Sequence, residues 1–387
     1  MKNAIVLAAI MFPFFVIAQS TDKNYIKKTV YQIPTTSGAV TEDEKLTSIN
    51  YLDGLGRSIE LISMQAGGNR ENIINYSEYD YSGTPSRKYL PLAAGGAFSF
   101  DSSADYIEID TLKHELFSFY DSAKYDNTPN PYSENRYEAS PRMNVLETGA
   151  PGSHWALDPE EDDDHTIKMS YGKNYDDDVY NFSVSLTGNN LYIPSLNYDG
   201  LYPDGVLYKT VTKDENWQPG NGTRYNTEEY KNSFGQIVLK RNFVSGGQSG
   251  IPVDTYYVYD DYGNLTYVLS PEASSKIISG GNLVTNSQQI IDGLGYQYIY
   301  DKRNRLREKR IPGKGWESIL YNNLDQPILT QDEELASDNK WLFTKYDKFG
   351  RVAYTGLVEL QSSKSTLEQE VLNTTNYWET RTSTPNS

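Results

Sequence analysis

The densest group of side chains able to do chemistry is the run Asp158, Glu160, Glu161, Asp162, Asp163, Asp164, His165. Hard cations such as Ca2+ take several carboxylate oxygens from a flexible loop, so Asp162, Asp163, Asp164 and His165 are the candidate metal ligands. The run lacks the D-x-D-x-D-G spacing of an EF-hand, and like-charge runs are also written for solvated loops. A second acidic triplet at 176–178 offers the same donors and equally suits a turn between strands. Other chemistry finds less support. There is no Cys, and the three histidines, His114, His154 and His165, stand in polar contexts without a G-x-S-x-G elbow. Among 52 acidic residues some pair will fall at the roughly 5–9 Å of a glycosidase by chance, and no pattern singles one out. The two DGLG segments (53–56 and 292–295) lack the spacing and Lys of a phosphate loop and read as hairpin or loop turns. The sequence thus predicts no catalytic residue, no enzyme and no cofactor, with Ca2+ the one ligand left open.

The elements that would position these residues are written in tyrosine. The chain has 387 residues, with 33 Tyr against 12 Phe and a net charge of −17. Tyr suits a pleated surface that is apolar at one end and wet at the other, so strands are favoured over helices. The acidic balance argues against a nucleic-acid partner, because such a surface repels phosphate. Without Cys there is no disulfide staple or Cys-linked lipid, and stability must come from a sizeable core. At the N-terminus, Lys2 precedes an apolar run over residues 4–18, shorter than the ~20 residues of a membrane span. Val16 and Ala18 fit a signal-peptidase site, so residues 1–18 read as a cleaved export signal and the mature chain as starting at Gln19.

A turn recurs along the chain. LDGLGR (52–57), YDYSGT (79–84), KNSFGQ (231–236), YDDYGN (259–264), YDKRNR (300–305), YNNLDQ (321–326) and YDKFGR (346–351) align with Asp or Asn in the second position. The fifth position holds Gly56, Gly83, Gly235, Gly263, Asn304, Asp325 and Gly350, and the sixth is polar throughout. Gly, Asn and Asp are the residues that most readily take positive φ. A three-residue hairpin loop needs such a residue after a type I turn. An Asp or Asn at the turn's start can accept an amide two residues on. Each segment therefore predicts strand, tight turn, strand, with Ile237, Leu265, Leu306 and Val352 opening outgoing strands. The last first-position intervals are 28, 41, 21 and 25 residues, so the unit is one hairpin plus a variable connection. The expected fold class is all-β: serial antiparallel hairpins forming a sheet that keeps extending.

These residues carry a resemblance. YVYDDYGNLTYV, YIYDKRNRLREKRIPG and KYDKFGRVAYTG resemble the tyrosine–aspartate (YD) repeats of rearrangement-hotspot (RHS) proteins. INYLDGLGRSIELISMQAG (49–67) resembles the N-terminal domain preceding those repeats in secreted Bacteroidota RHS proteins, and HTIKMSYGKNYDDDV and YNNLDQPILTQDEE are similar to segments of that group. The resemblance implies a spiralling sheet that can close into a shell around a variable C-terminal domain, often a toxin, freed by self-cleavage at a core motif. Related YD-repeat proteins serve adhesion and carbohydrate binding. The sequence given ends in NYWETRTSTPNS without core motif or effector, so toxin activity is not carried over, and the expectation is a truncated N-terminal segment. The expected organisation is signal (1–18), N-terminal β-rich domain (19–165), YD-repeat region (166–360) and a polar tail (361–387), helical or disordered. Expected partners are the rest of its own shell, a C-terminal effector, or glycans at a cell surface. Expected locations are the cell surface, the extracellular space or the periplasm. Trp155, Trp217, Trp316 and Trp341, all near predicted turns, would serve a glycan platform. Short helices are expected within 114–125, 270–281 and 362–373.

Overall fold

The structure is a computed structural model that describes residues 23–36, 40–81, 83–94, 104–158, 160, 162, 164–175, 179–187, 193–244, 246 and 250–380. The predicted signal, Glu161, Asp163, residues 176–178 and residues 381–387 of the tail lie outside them. The chain divides into two compact units, Met1–Lys168 and Met169–Ser387. Both are mostly β, and the strand pairings described below are antiparallel.

In the first unit, Asn24–Tyr31 pairs with Lys45–Leu52, which pairs with Ser58–Ser63, which pairs with Asn72–Tyr79. Asn72–Tyr79 continues through the Gly83 turn into Pro85–Tyr89, and Tyr132–Tyr137 and Val145–Gly149 follow. Alternation turns Ile49, Tyr51, Ile62, Ile74, Tyr76 and Tyr89 to one face. The helix Ile109–Tyr120 covers that face with Leu112 and Leu116, one helical turn apart. It starts five residues before the predicted helix and ends at Tyr120, because Ile109 and Leu112 extend the apolar stripe toward its N-terminus.

In the second unit, eleven strands follow one another, each paired with the next. They run from Tyr208–Lys213 through Asn226–Lys231, Ile237–Val244, Ile251–Tyr259, Leu265–Leu269 and Gly295–Tyr300. Leu306–Arg310, Trp316–Tyr321, Pro327–Gln331, Lys340–Tyr346 and Val352–Glu359 complete the series. The hairpin Tyr180–Thr187 with Ile193–Leu201 brings Phe182 and Val184 into a core with Tyr230, Leu239, Tyr256, Val258 and Tyr267. The long 41-residue interval holds two helices, Pro271–Ile277 and Ser287–Leu294, which bury Ala273, Ile277 and Ile291 in the same core. Their presence corrects the second DGLG. Asp292–Leu294 is helical rather than a turn, because Ile290, Ile291 and Leu294 form one helical face, and Gly295 opens the next strand. A Cβ on Gly295 would lie 3.0 Å from the Ile291 carbonyl oxygen, so Gly permits that close exit. Near the C-terminus, Lys364–Asn373 is a helix whose Leu367 packs with Leu320, Leu329 and Trp341.

The tyrosines explain how so polar a composition makes its two larger cores. Tyr51, Tyr230, Tyr256 and Tyr267 are fully buried. Burying a hydroxyl is tolerable only when it is hydrogen-bonded. Tyr51 donates to the Ala104 carbonyl (3.0 Å), Tyr267 to the Pro194 carbonyl (2.8 Å) and Tyr230 to Glu228 (2.7 Å), while the Tyr256 oxygen accepts from the Tyr180 amide (3.2 Å).

Candidate functional site

All seven fifth-position residues have positive φ: Gly56 79°, Gly83 85°, Gly235 79°, Gly263 83°, Asn304 57°, Asp325 61° and Gly350 78°. In every case the amide of that residue donates to the carbonyl of the second-position Asp or Asn at 3.0–3.1 Å. The second-position amide donates to the sixth-position carbonyl at 2.8–3.0 Å, and one extra residue follows on the outgoing strand, as Thr266 does between Leu265 and Tyr267. This is a type I turn closed by a glycine-type bulge.

The second-position side chain does more than start the turn. One oxygen of Asp347 accepts both the Phe349 amide (2.9 Å) and the Arg351 amide (3.0 Å), and the other accepts Arg351 Nε (2.8 Å). Asp53 and Asp301 clamp Arg57 and Arg305 in the same way. These bonds hold the Asp53 and Asp347 carboxyls below the ordinary carboxylate pKa. For Asp53 the Arg57 amide is the leading cause, and for Asp347 the Arg351 side chain. Where the second residue is Asn, the sixth is Gln: Asn232 Nδ2 donates to Gln236 Oε1 (2.8 Å) and Asn322 Nδ2 to Gln326 Oε1 (2.9 Å). In the sequence columns every sixth-position Arg stands with Asp and every Gln with Asn, while Asp80 and Asp260 stand with Thr84 and Asn264.

Four of the five first-position tyrosines, all but Tyr259, then tie their hairpin to the one before it. Tyr79 donates to the Ser58 carbonyl (2.9 Å), Tyr300 to Leu265 (2.9 Å), Tyr321 to Leu306 (2.9 Å) and Tyr346 to Pro327 (2.8 Å). Tyr137, which opens a longer turn, donates to Pro85 (3.0 Å). Each acceptor is the first residue after the preceding turn. Sixth-position side chains reach the other way. The guanidiniums of Arg57 and Arg305 lie 4.4 Å and 4.7 Å from the centroids of the next hairpin's Tyr79 and Tyr321 rings. Arg305 also bonds the Asn322 carbonyl (3.3 Å) and Asp325 (2.7 Å), and Gln236 bonds the Gly263 carbonyl (3.3 Å). The turns thus form a ladder within each unit, with a Tyr rung and an Arg, Asn or Gln rung between neighbours.

If positive φ is what the fifth position requires, Gly350→Val costs about 1–3 kcal/mol through backbone strain. Gly350→Asn stays below about 1 kcal/mol, since Asn304 already occupies the equivalent site. Urea unfolding of both variants checks this, and equal tolerance of Val and Asn would show that the corner carries no strain.

The acidic cluster is arranged around a lysine. Lys168 Nζ contacts Asp164, lies 2.7 Å from Glu147 Oε1 and stands 3.8 Å from Asp162. Glu147, 2% exposed, also accepts from Thr166 (2.6 Å) and Arg136 (2.5 Å). Burial opposes ionisation of Glu147, but bonds from Lys168, Thr166 and Arg136 outweigh it and keep its pKa below the ordinary value. Burial likewise opposes the charge on Lys168, and Asp164 and Glu147 raise its pKa in spite of it. The His165 ring packs on Trp155 at 5.3 Å, away from this centre. Among the described residues no three His, Asp or Glu side chains are grouped to hold a metal. Of the four tryptophans named for a glycan platform, Trp341 is 2% exposed in the core and cannot join a surface.

One buried group was not singled out by sequence. Glu60 is 1% exposed on the core face between Tyr51 and Tyr76. Its Oε2 accepts the Ile107 amide (3.3 Å) and its Oε1 has no partner. Burial pushes its pKa up to about 8.

Over these elements the comparisons can be placed. Residues 26–169 match the model of a family described as "Domain of unknown function (DUF6443)". No curated protein matches the chain. Among solved structures, that of TcdB2-TccC3 is similar over 83% of this chain, with TM-score 0.50 and 12% identity. A Photorhabdus luminescens Tc holotoxin pore is similar over 83% of this chain, at 14% identity and TM-score 0.48. This chain spans 13% of the length of either. The likeness to TcdB2-TccC3 is one of fold: the serial-hairpin β architecture.

Proposed function

We propose that the chain is a non-enzymatic, exported scaffold, the N-terminal segment of an RHS or YD-repeat shell that carries or displays a C-terminal effector. The observation that carries this reading is the ladder. Conspicuous polar side chains are engaged in structure: the turn Asp and Asn hold their own corners, while Tyr hydroxyls and Arg305 fasten one hairpin to the next. A sheet fastened in this way lengthens by adding identical units, which is what an enclosing wall needs and an active site does not. The fold likeness to TcdB2-TccC3 supports the same reading. Export rests on Lys2 and the apolar run over 4–18.

The test is a reporter enzyme fused after Ser387 in a secreting bacterial host. The fusion is expected outside the cytoplasm, beginning at Gln19, and removing residues 1–18 is expected to retain it inside. Retention of both forms inside, or turnover by the purified chain in a panel of glycoside, ester and peptide substrates, would refute the scaffold. A second reading, a surface adhesin or glycan-binding module, is favoured by one observation. The fourth turn position presents large exposed side chains, Phe234 (86%), Tyr262 (62%) and Phe349 (71%). Binding on a glycan array that is lost in the triple Ala variant would select it.

A further inference from the structure

The ladder has an unfilled rung. Arg57, Arg305 and Arg351 occupy the same turn position and clamp their own Asp alike. Arg57 and Arg305 are 30% and 19% exposed, each covered by the Tyr of the next hairpin, whereas Arg351 is 74% exposed. The carbonyls of Ser58, Pro85, Leu265, Leu306 and Pro327, each directly after a turn, accept a Tyr hydroxyl from the following hairpin. Val352 is the equivalent residue after the Gly350 turn, and among the described residues no side chain donates to its carbonyl. Among the described residues the strand it opens, Val352–Glu359, pairs on one side only, with Lys340–Tyr346. Val352, Tyr354 and Leu357 are exposed along it. An edge strand of eight residues with one side left open is a template for another strand.

We propose that Arg351 and Val352–Glu359 form a docking socket for one kind of partner: a polypeptide strand that runs antiparallel to Val352–Glu359 and ends in Tyr-Asp or Tyr-Asn at a tight turn. The partner's Tyr hydroxyl donates to the Val352 carbonyl and its ring lies beneath the Arg351 guanidinium, as Tyr321 lies beneath Arg305. An Asp or Asn at the partner's fifth turn position completes the rung, as Asp325 does for Arg305. Any apolar strand could pair with the backbone, but only one bearing Tyr at that place satisfies both the carbonyl and the guanidinium.

The inference deepens the scaffold reading and rests on it. The probe is a fluorescent peptide with the sequence of residues 340–359, held as a hairpin by a disulfide between added terminal cysteines. It is titrated into the full chain by anisotropy, with amide exchange followed over Val352–Glu359. Saturable binding that slows exchange on that strand is expected. Tyr346→Phe in the peptide, or Arg351→Ala in the protein, weakens binding about five- to tenfold, equivalent to one hydrogen bond or cation–π contact. The two changes together weaken it by less than the product of their separate effects. No saturable binding, binding indifferent to both changes, or protection away from Val352–Glu359 would overturn the socket. So would a sedimenting dimer of the chain that Arg351→Ala dissolves, which would give this edge to a second copy. The assay contains no effector and no export step, so its failure leaves the reporter test standing, and the reverse holds too.

Discussion

Glu60→Gln stabilises the N-terminal unit in mild alkali and abolishes its pH dependence between pH 4.5 and 8. Glu60 is enclosed between Tyr51 and Tyr76 with one carboxyl oxygen unpartnered, and its pKa rises from 4.5 to about 8. Burial is the leading cause, the Ile107 amide opposes it, and Glu108 adds to it. A raised carboxyl pKa means the folded unit holds a proton that the unfolded chain releases. Its contribution is therefore complete below pH 4.5, the unfolded value, and is lost as pH rises to about 8. A shift of that size is equivalent to roughly 5 kcal/mol, an upper figure for the loss. Gln keeps the shape and the acceptor for Ile107 and cannot ionise. Urea unfolding at pH 5, 7 and 9 should show wild type weakening with pH and the variant level. Equal slopes for the two proteins would mean that Glu60 is hydrated and titrates normally.

Glu147→Ala is expected to cost about 3 kcal/mol, because removing one partner of a buried ion pair strands the other. Lys168 would keep Asp164 but lose its 2.7 Å bond to Glu147, and Thr166 and Arg136 would lose their acceptor. Since the Glu147 pKa is held below the ordinary value, its stabilisation is present above about pH 4.5 and is lost as pH falls through its folded pKa. For Lys168, whose pKa is raised, the contribution holds below pH 10.5 and is lost above it. Glu147→Ala should therefore lose stability at pH 7 and show a flatter acid limb, a window separate from that of Glu60. A variant as stable as wild type at pH 7 would mean that the cluster is a solvated loop after all.

The corners of this fold were legible because few residues tolerate left-handed backbone, so the fifth-position column could hardly be written otherwise. The fastening between corners was not, because the partner of Tyr300 is the Leu265 carbonyl, 35 residues earlier, and a backbone acceptor leaves no mark in sequence. The buried acids were hidden for another reason. Alternation in SIELIS offers Ile59 and Leu61 to the core, yet Glu60 and Ile62 face it, and in NTEEYK the inward set is Asn226, Glu228 and Tyr230. Burial of Glu228 is offset by Tyr230 and Lys209, which is a tertiary fact. The ion pair of Asp164 was not legible in the acidic run because Lys168, four residues on, belongs to the next strand. The helix Ser287–Leu294 was masked by its DGLG ending.

The reach of each tyrosine hydroxyl has a mechanical corollary. Among the described residues each tyrosine clasp spans a single joint, and the helix Lys364–Asn373 lies across more than one, with Glu368 on Arg307 and Leu367 against Leu320 and Trp341. Pulled from one end, such an array yields by peeling, one fold of ribbon after another. A load that opens the outermost joint need not loosen those behind it.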